Sequence, residues 1–448
     1  MRNKLIGLLS LAALPLCAQE QPDYVALKAQ LKEELLQELR QKDSLEKAQA
    51  AKPLSWDRFS FSGYGAVNYY KYGTYDTDLD IKDKIDAERL NLYLGYRFND
   101  WISMRSEIEF EHGGTGATME LDILEESGEF EQEIEAGGEV KLEQLYLDFQ
   151  LRPYFNIRAG RVKLRTNLAQ LLDRPTSYFT THKPEMENEI LPLGWYENGV
   201  QFYGTFAKRF RYELSLTNGL DATGFSTRNW IKKGHQVRFE MANAETPAFS
   251  ARLDYLFGKS KHTFVGIGGY VNNTAPNRPK TDINKSAYVT LFTAHLSYDE
   301  GPLRFNTAFV FGNLENSDLV TRANRGLSKG LGVKRNVLGK QALGFSAEVG
   351  YNFLPLCNYA GEQKLYPFFR YDYYDTMHAV EGYVIKQDRW VRKTITTGLN
   401  WFITPQILVK AQYQMRTLGG NHHHLVTKKP IGRGAQENSL SLGLAFSF

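Results

Sequence analysis

From Trp56 to its last residue this chain repeats one pattern, a stretch of about ten residues in which apolar side chains alternate with small or polar ones. A period of two puts successive side chains on opposite faces of a β-strand. In the closing SLSLGLAFSF, Leu440, Leu442, Leu444, Phe446 and Phe448 share one face, and Ser439, Ser441, Gly443, Ala445 and Ser447 the other. In RLNLYLGYRF the apolar Leu90, Leu92, Leu94, Tyr96 and Phe98 oppose Arg89, Asn91, Tyr93, Gly95 and Arg97. In ISMRSEIEFEH, Ile102, Met104, Ile108 and Phe110 oppose Ser103, Arg105, Glu107, Glu109 and Glu111. RFRYELSLTN and ILVKAQYQM repeat this, setting Arg211 and Glu213, then Lys410, Gln412 and Gln414, against apolar partners. Lipid outside and water inside a closed barrel satisfy both faces, whereas a soluble sandwich seldom sustains such alternation through strands this aromatic.

Composition agrees. After residue 20 no run approaches the roughly 20 apolar residues of a spanning helix, so helical membrane insertion is excluded. Tyr (26), Phe (27) and Gly (38) with only 15 Pro mark a strand-forming chain. A net charge of +3 over 448 residues gives no electrostatic case for nucleic acid as partner.

Arg2 and Lys4 precede an apolar stretch from Leu5 to Leu16 and then small residues, which predicts a secretory signal peptide over 1–18 with cleavage after Ala18. Lipidation at Cys17 would require a small residue where Leu16 stands. With Cys17 removed, Cys357 is left without a partner for a disulfide. Residues 19–55 read as a periplasmic helical segment. From Tyr24 to about Ala51 there is no Gly, and Leu27, Leu31, Leu35 and Leu39 recur at four-residue spacing, as in a short coiled coil between protomers or an exposed linker. Pro53 ends it.

Connections test the barrel, because such barrels alternate short turns with long outer loops. Short connections fall at Asn99 to Trp101, Arg152 to Tyr154, Ala207 to Arg209, Gly258 to His262, Asp299 to Pro302 and Thr404 to Pro405, with a longer one from Leu354 to Leu365. Long ones lie at about 72–86, 113–139, 164–195, 219–246, 272–286, 313–339, 375–391 and 417–437. Gln236 to Met241 looks like a strand but would force an odd count, and is assigned to the fourth long loop. The prediction is a 16-stranded antiparallel outer-membrane β-barrel over 56–448, wide enough for a water-filled channel. Its last strand closes onto residues near Phe59 to Tyr69. Leu444, Phe446 and the terminal Phe448 resemble the C-terminal signature that the barrel assembly machinery of bacteria reads.

The loop at 164–195 is too apolar for a solvated tip, with Leu168, Leu171, Leu172, Tyr178, Phe179, Ile190 and Leu191. It occupies the slot of the inward-folding loop of sixteen-stranded general porins, and inward folding is expected over packing at the mouth. Before it, FNIRAGRVKLR supplies Arg158, Arg161, Lys163 and Arg165. Polar faces add Arg89, Arg97, Arg105, Arg211, Arg252, Arg304, Arg370 and Lys410, against Glu107, Glu109, Glu111, Asp148, Glu213, Asp254, Glu348 and Asp372. A slightly basic wall of low dielectric predicts a modest preference for anions.

Four stretches, GRVKLR, LPLGWYENGVQFYGTF, PFFRYDYYDT and SLSLGLAFSF, resemble the phosphate-selective porin O and P family, particularly the divergent porins of the Bacteroidetes outer membrane. Gly160, Arg161 and Lys163 match a family pattern, while Arg165, Thr166 and Asn167 replace its usual Pro-Phe-Gly. The resemblance implies homotrimeric channels that pass anions, phosphate among them, and no cofactor.

Other features carry less. The acidic MELDILEESGEFEQEIEAGGEVKLE reads as a solvated outer loop before divalent bridging to lipopolysaccharide, and His422, His423 and His424 are too close together in sequence to converge on one metal ion. His295, with Thr293 and Ser297 on its face, is the sole hint of a hydrolytic site. The reading is therefore a passive diffusion channel for small hydrophilic solutes, not an enzyme. Its alternative is an adhesin or structural protein anchored through the amino-terminal helix.

Overall fold

In the computed structural model the described residues are 56–75, 81–122, 131–192, 194–236, 242–327, 335–419, 422–423, 430–431 and 436–448, with 28–29 and 32–38 of the amino-terminal segment. The chain divides into Met1–Asp57 and Arg58–Phe448. In the first unit the described residues are helical. The expected signal peptide, the rest of the expected helix and Cys17 lie outside them.

The second unit is built from β1 (Phe59–Tyr75), β2 (Lys84–Arg97), β3 (Ile102–Asp122), β4 (Glu131–Arg152), β5 (Phe155–Lys163), β6 (Tyr196–Phe206), β7 (Phe210–Asn218), β8 (Pro247–Leu256) and β9 (Phe264–Asn273). It continues through β10 (Tyr288–Glu300), β11 (Leu303–Leu314), β12 (Gln341–Tyr351), β13 (Lys364–Ala379), β14 (Val391–Phe402), β15 (Ile407–Leu418), β16 (His422–His423), β17 (Pro430–Ile431) and β18 (Gln436–Ser447). Sixteen of these close an antiparallel barrel in sequence order, β18 pairing with both β15 and β1, while β16 and β17 form a separate small hairpin. No helix among the described residues is long and apolar enough to cross a membrane.

Closure follows the alternation of the last strand. Val67 pairs with Leu444 and Tyr69 with Leu442, and beyond the strand Phe448 and Gly63 exchange backbone hydrogen bonds of 3.0 and 2.9 Å. Leu440, Leu442, Leu444 and Phe448 are exposed on the outer face, while Ser441 and Ala445 are buried on the inner one. The ring of Phe446 covers Gly65. Lys410, Gln412 and Gln414 of β15 are likewise buried inside, with Tyr413 and Met415 exposed outside.

Two connections differ from expectation. The second long loop was expected from about 113, yet β3 and β4 stay paired up to Asp122 and Glu131. Above the apolar belt both faces meet water, so the alternation that marks a strand fades while backbone pairing continues. In the fourth loop Gln236 is outside any strand, and 237–241 lie outside the described residues. His422 and His423 belong to the small hairpin, and His424 lies outside the described residues.

Candidate functional site

Lys163 ends the short β5, and the chain then enters the lumen. Asn167 caps the helix Leu168–Leu171 by accepting the Gln170 N–H, and Pro184 precedes the helix Glu185–Ile190. Between these helices the segment runs along inward-facing side chains of the far wall. Lys410 Nζ donates to the carbonyls of Tyr178 (2.9 Å) and Thr180 (2.6 Å), and Asn400 donates to that of Phe179 (2.9 Å). The Thr181 N–H donates to Gln412 (2.8 Å), and Arg416 and Gln414 donate to Glu185 at 2.7 and 2.8 Å. Phe179 stacks on Phe368 with ring centroids 5.3 Å apart. A buried segment leaves no backbone group idle for long, and these polar side chains supply the partners that a helix or sheet would.

The apolar residues of this loop pack inside the barrel. Leu168, Met186, Ile190 and Leu191 join Leu220, Phe225, Trp230 and Ile231 of the next long loop and Val320 and Leu338 of a later one in one buried cluster. Sequence reasoning missed these two later loops. Small wall residues make the room: Gly344 lies against Met186, Gly350 against Phe179 and Gly312 against Trp230. Glycine at inward-facing strand positions was the available signal.

Charge holds the loop as well. Burial pushes the Asp173 carboxyl up, but the ammonium groups of Lys163 and Lys183 beside it outweigh that and hold it well below the usual carboxylate range. Glu187, buried and accepting the Ala169 N–H at 3.1 Å, is pushed up by burial to about 7. In the next loop, burial depresses the His235 imidazole to about 4.

The expected basic residues do not form one ring. Gly160 takes a φ of +135° within β5, whose pairing with β4 and β6 runs through it, and the basic residues around it go to different places. Arg158 and Arg165 approach Glu213 at 3.5 and 3.4 Å, joined by Arg252 at 3.9 Å, all on the same carboxylate oxygen. Arg211 and Arg252 also share Asp254 (2.8 and 3.2 Å), whose other oxygen meets His295 at 2.9 Å. Arg158 lies over the Tyr203 ring, 3.8 Å from its centroid. Arg161 instead lines a separate small cleft with Lys141, Glu143 and Lys183, and Lys163 pairs with Asp173.

The remaining basic residues are scattered. Arg89 pairs with Glu88 at 2.6 Å, Arg304 with Asp299 at 3.1 Å, and Arg370 with Asp372 at 2.7 Å and Glu348 at 3.3 Å. Arg97 and Arg105 are exposed. Thr293 donates its hydroxyl to the Thr166 carbonyl, so the His295 and Asp254 pair does not extend through it to a nucleophile.

No family model matches the chain. A protein of Aquifex aeolicus described as uncharacterized is 29% identical over 360 residues, 79% of this chain and 74% of its own length. Among solved structures, Salmonella typhi OmpF in complex with daunomycin superimposes with a TM-score of 0.50 at 10% identity, covering 88% of this chain and 99% of that one. An anion-selective porin from Comamonas acidovorans gives 0.49 at 9% identity, with 87% and 99% covered. The fold is that of a closed sixteen-stranded outer-membrane β-barrel.

Proposed function

We propose that this protein is a passive diffusion channel of the outer membrane for small hydrophilic solutes, with a modest preference for anions. The observation that carries the reading is the cluster of Arg158, Arg165, Arg211 and Arg252 on Glu213 and Asp254. The cations outnumber the carboxylates they share, and three of the four, all but Arg252, stand closer to water. The Arg211 side chain is 31% exposed against 0% for Asp254, and Arg165 is 23% exposed against 8% for Glu213. Guanidinium groups fixed in a low-dielectric wall raise the local concentration of anions and repel cations. The resemblance to the phosphate-selective porin O and P family supports the same direction, with phosphate as one permeant and a homotrimer as the assembly.

The test is the reversal potential of the purified full chain in a planar bilayer under a potassium chloride gradient. Wild type reverses toward the chloride potential, and Arg158→Glu with Arg211→Glu collapses or inverts that. Arg161→Glu with Lys163→Glu changes selectivity less, because those cations face other partners. A wild type that reverses toward potassium overturns the anion preference. A chain that forms no channels returns the structural anchor reading.

A further inference from the structure

The lumen contains a second open space whose chemistry differs from that of the arginine cluster. A cleft of about 210 Å³ lies between β1, β15, β18 and the loop residue His182. Two of its residues, Tyr70 and Tyr72, sit two apart on β1 and share its inward face with the buried Asn68. Their rings are stacked, with centroids 6.4 Å apart and planes 22° from parallel. Across the cleft Arg416 is shared between Glu185 and Glu437, at 2.7 Å to each. Its positive charge is thereby compensated, and burial holds the His182 imidazole below its ordinary value, hence neutral at physiological pH. Among the described residues that line the cleft, no cation is left unbalanced. Ser441 lines the same cleft, is 1% exposed, and its hydroxyl has no hydrogen-bond partner among the described residues.

We propose that this cleft is a binding subsite for a neutral polyhydroxylated solute, a saccharide, on the way past the inward loop. A sugar ring has an apolar face of C–H groups and an edge of hydroxyls, each a donor and an acceptor. The tyrosine pair offers aromatic faces against which the C–H face of a sugar packs. Ion-paired Arg416 and Glu437 keep donor and acceptor capacity for hydroxyls, and the two carboxylates around Arg416 disfavour an anion. The Ser441 hydroxyl supplies a buried polar group that a ligand would satisfy.

The proposal rests on the channel reading, but binding can be measured without conduction. Isothermal calorimetry on the detergent-purified full chain with maltotriose detects saturable binding, weakened about tenfold by Tyr72→Ala and kept by Tyr72→Phe, since one aromatic contact of about 1.4 kcal/mol is a factor of ten. Ser441→Ala, a small change on a strand face, weakens binding less and keeps the heat-modifiable mobility of the folded barrel. Absence of maltotriose binding by folded wild type overturns the subsite whether or not the chain conducts. Equal binding by wild type and Tyr72→Ala overturns it too. So does binding of tetramethylammonium in place of the sugar, which would make the tyrosines a cation site. Bilayer recordings judge the channel separately: conductance without maltotriose block, together with no calorimetric binding, leaves the channel standing and removes the subsite.

Discussion

Lys410 and Tyr178 meet across the lumen: the strand ammonium donates to the loop carbonyl at 2.9 Å and lies 4.3 Å from the centroid of the same residue's ring. A second bond, to the Thr180 carbonyl at 2.6 Å, completes the attachment. Lys410 is only 1% exposed, so its charge is satisfied by backbone dipoles and a π face. The inward loop is therefore tied to the wall opposite its origin.

Lys410→Met keeps the stem and removes the donor. Two buried carbonyls lose a charged partner, a loss of about 1–3 kcal/mol for each group left unsatisfied. Single-channel recordings are expected to show larger conductance and added flicker as the Tyr178 to Thr181 segment leaves the wall. Unchanged conductance and noise would mean that the loop is held by its other contacts alone.

Glu213 carries the opposite experiment. Three guanidinium groups share one of its oxygens, so Glu213→Gln removes a negative charge while retaining an acceptor of the same shape. Reversal potentials are expected to move further toward chloride, and the shift should shrink at 1 M salt, where the screening length is about 3 Å. A shift toward potassium would contradict the cluster as the source of selectivity.

Glu187 gives a pH dependence with a definite sign. Its folded value of about 7 lies above the ordinary 4.5 because burial disfavours the charged form. The native state holds the extra proton between those values, so the contribution is fully present below about pH 4.5 and is lost as pH rises through 7. From the difference of the two values the change is at most about 3 kcal/mol. Unfolding temperature in detergent is expected to fall from pH 5 to pH 8 in wild type, and Glu187→Gln should flatten that slope. An unaltered slope in the variant would assign the effect to other groups.

The barrel was legible because a strand between lipid and water must alternate, and sixteen such strands leave their period in sequence. Lys410, Gln412 and Gln414 against Tyr413 and Met415 fall where parity places them. What parity cannot carry is a position where the backbone departs from regular extension. Arg158, Arg161 and Lys163 read together as one basic group, yet around Gly160, with its φ of +135°, they go to Glu213, to a separate cleft and to Asp173. Charge pairs were also beyond local reading: Arg252 finds Glu213 and Arg165 finds the same carboxylate only once the barrel has closed. The apolar loop at 164–195 announced that it needed packing, whereas Phe225, Trp230 and Ile231 sat in a stretch judged only by its length.

Gly160 also yields the sharpest test of how the wall is built. Its φ of +135° is a conformation that residues with a Cβ rarely adopt. An added Cβ would meet the Leu145 carbonyl oxygen and lie 2.9 Å from Tyr146 Cα, both on the paired strand β4, which cannot yield as a flexible side-chain tip would. Gly160→Val adds branching to that clash, and backbone strain of this kind costs about 1–3 kcal/mol before the steric term. The strain falls where β5 pairs with β4 through Leu145 and Arg161, just before the chain turns into the lumen. Gly160→Ala is expected to lower the yield of folded, heat-modifiable barrel and Gly160→Val to abolish it. Gly301, also at positive φ (+59°) but with no neighbour within 4 Å of an added Cβ, is the control, and Gly301→Ala should assemble far better than Gly160→Ala. Equal assembly of the two alanine variants would show that close approach of β4 and β5 at this point is not needed to seat the inward loop.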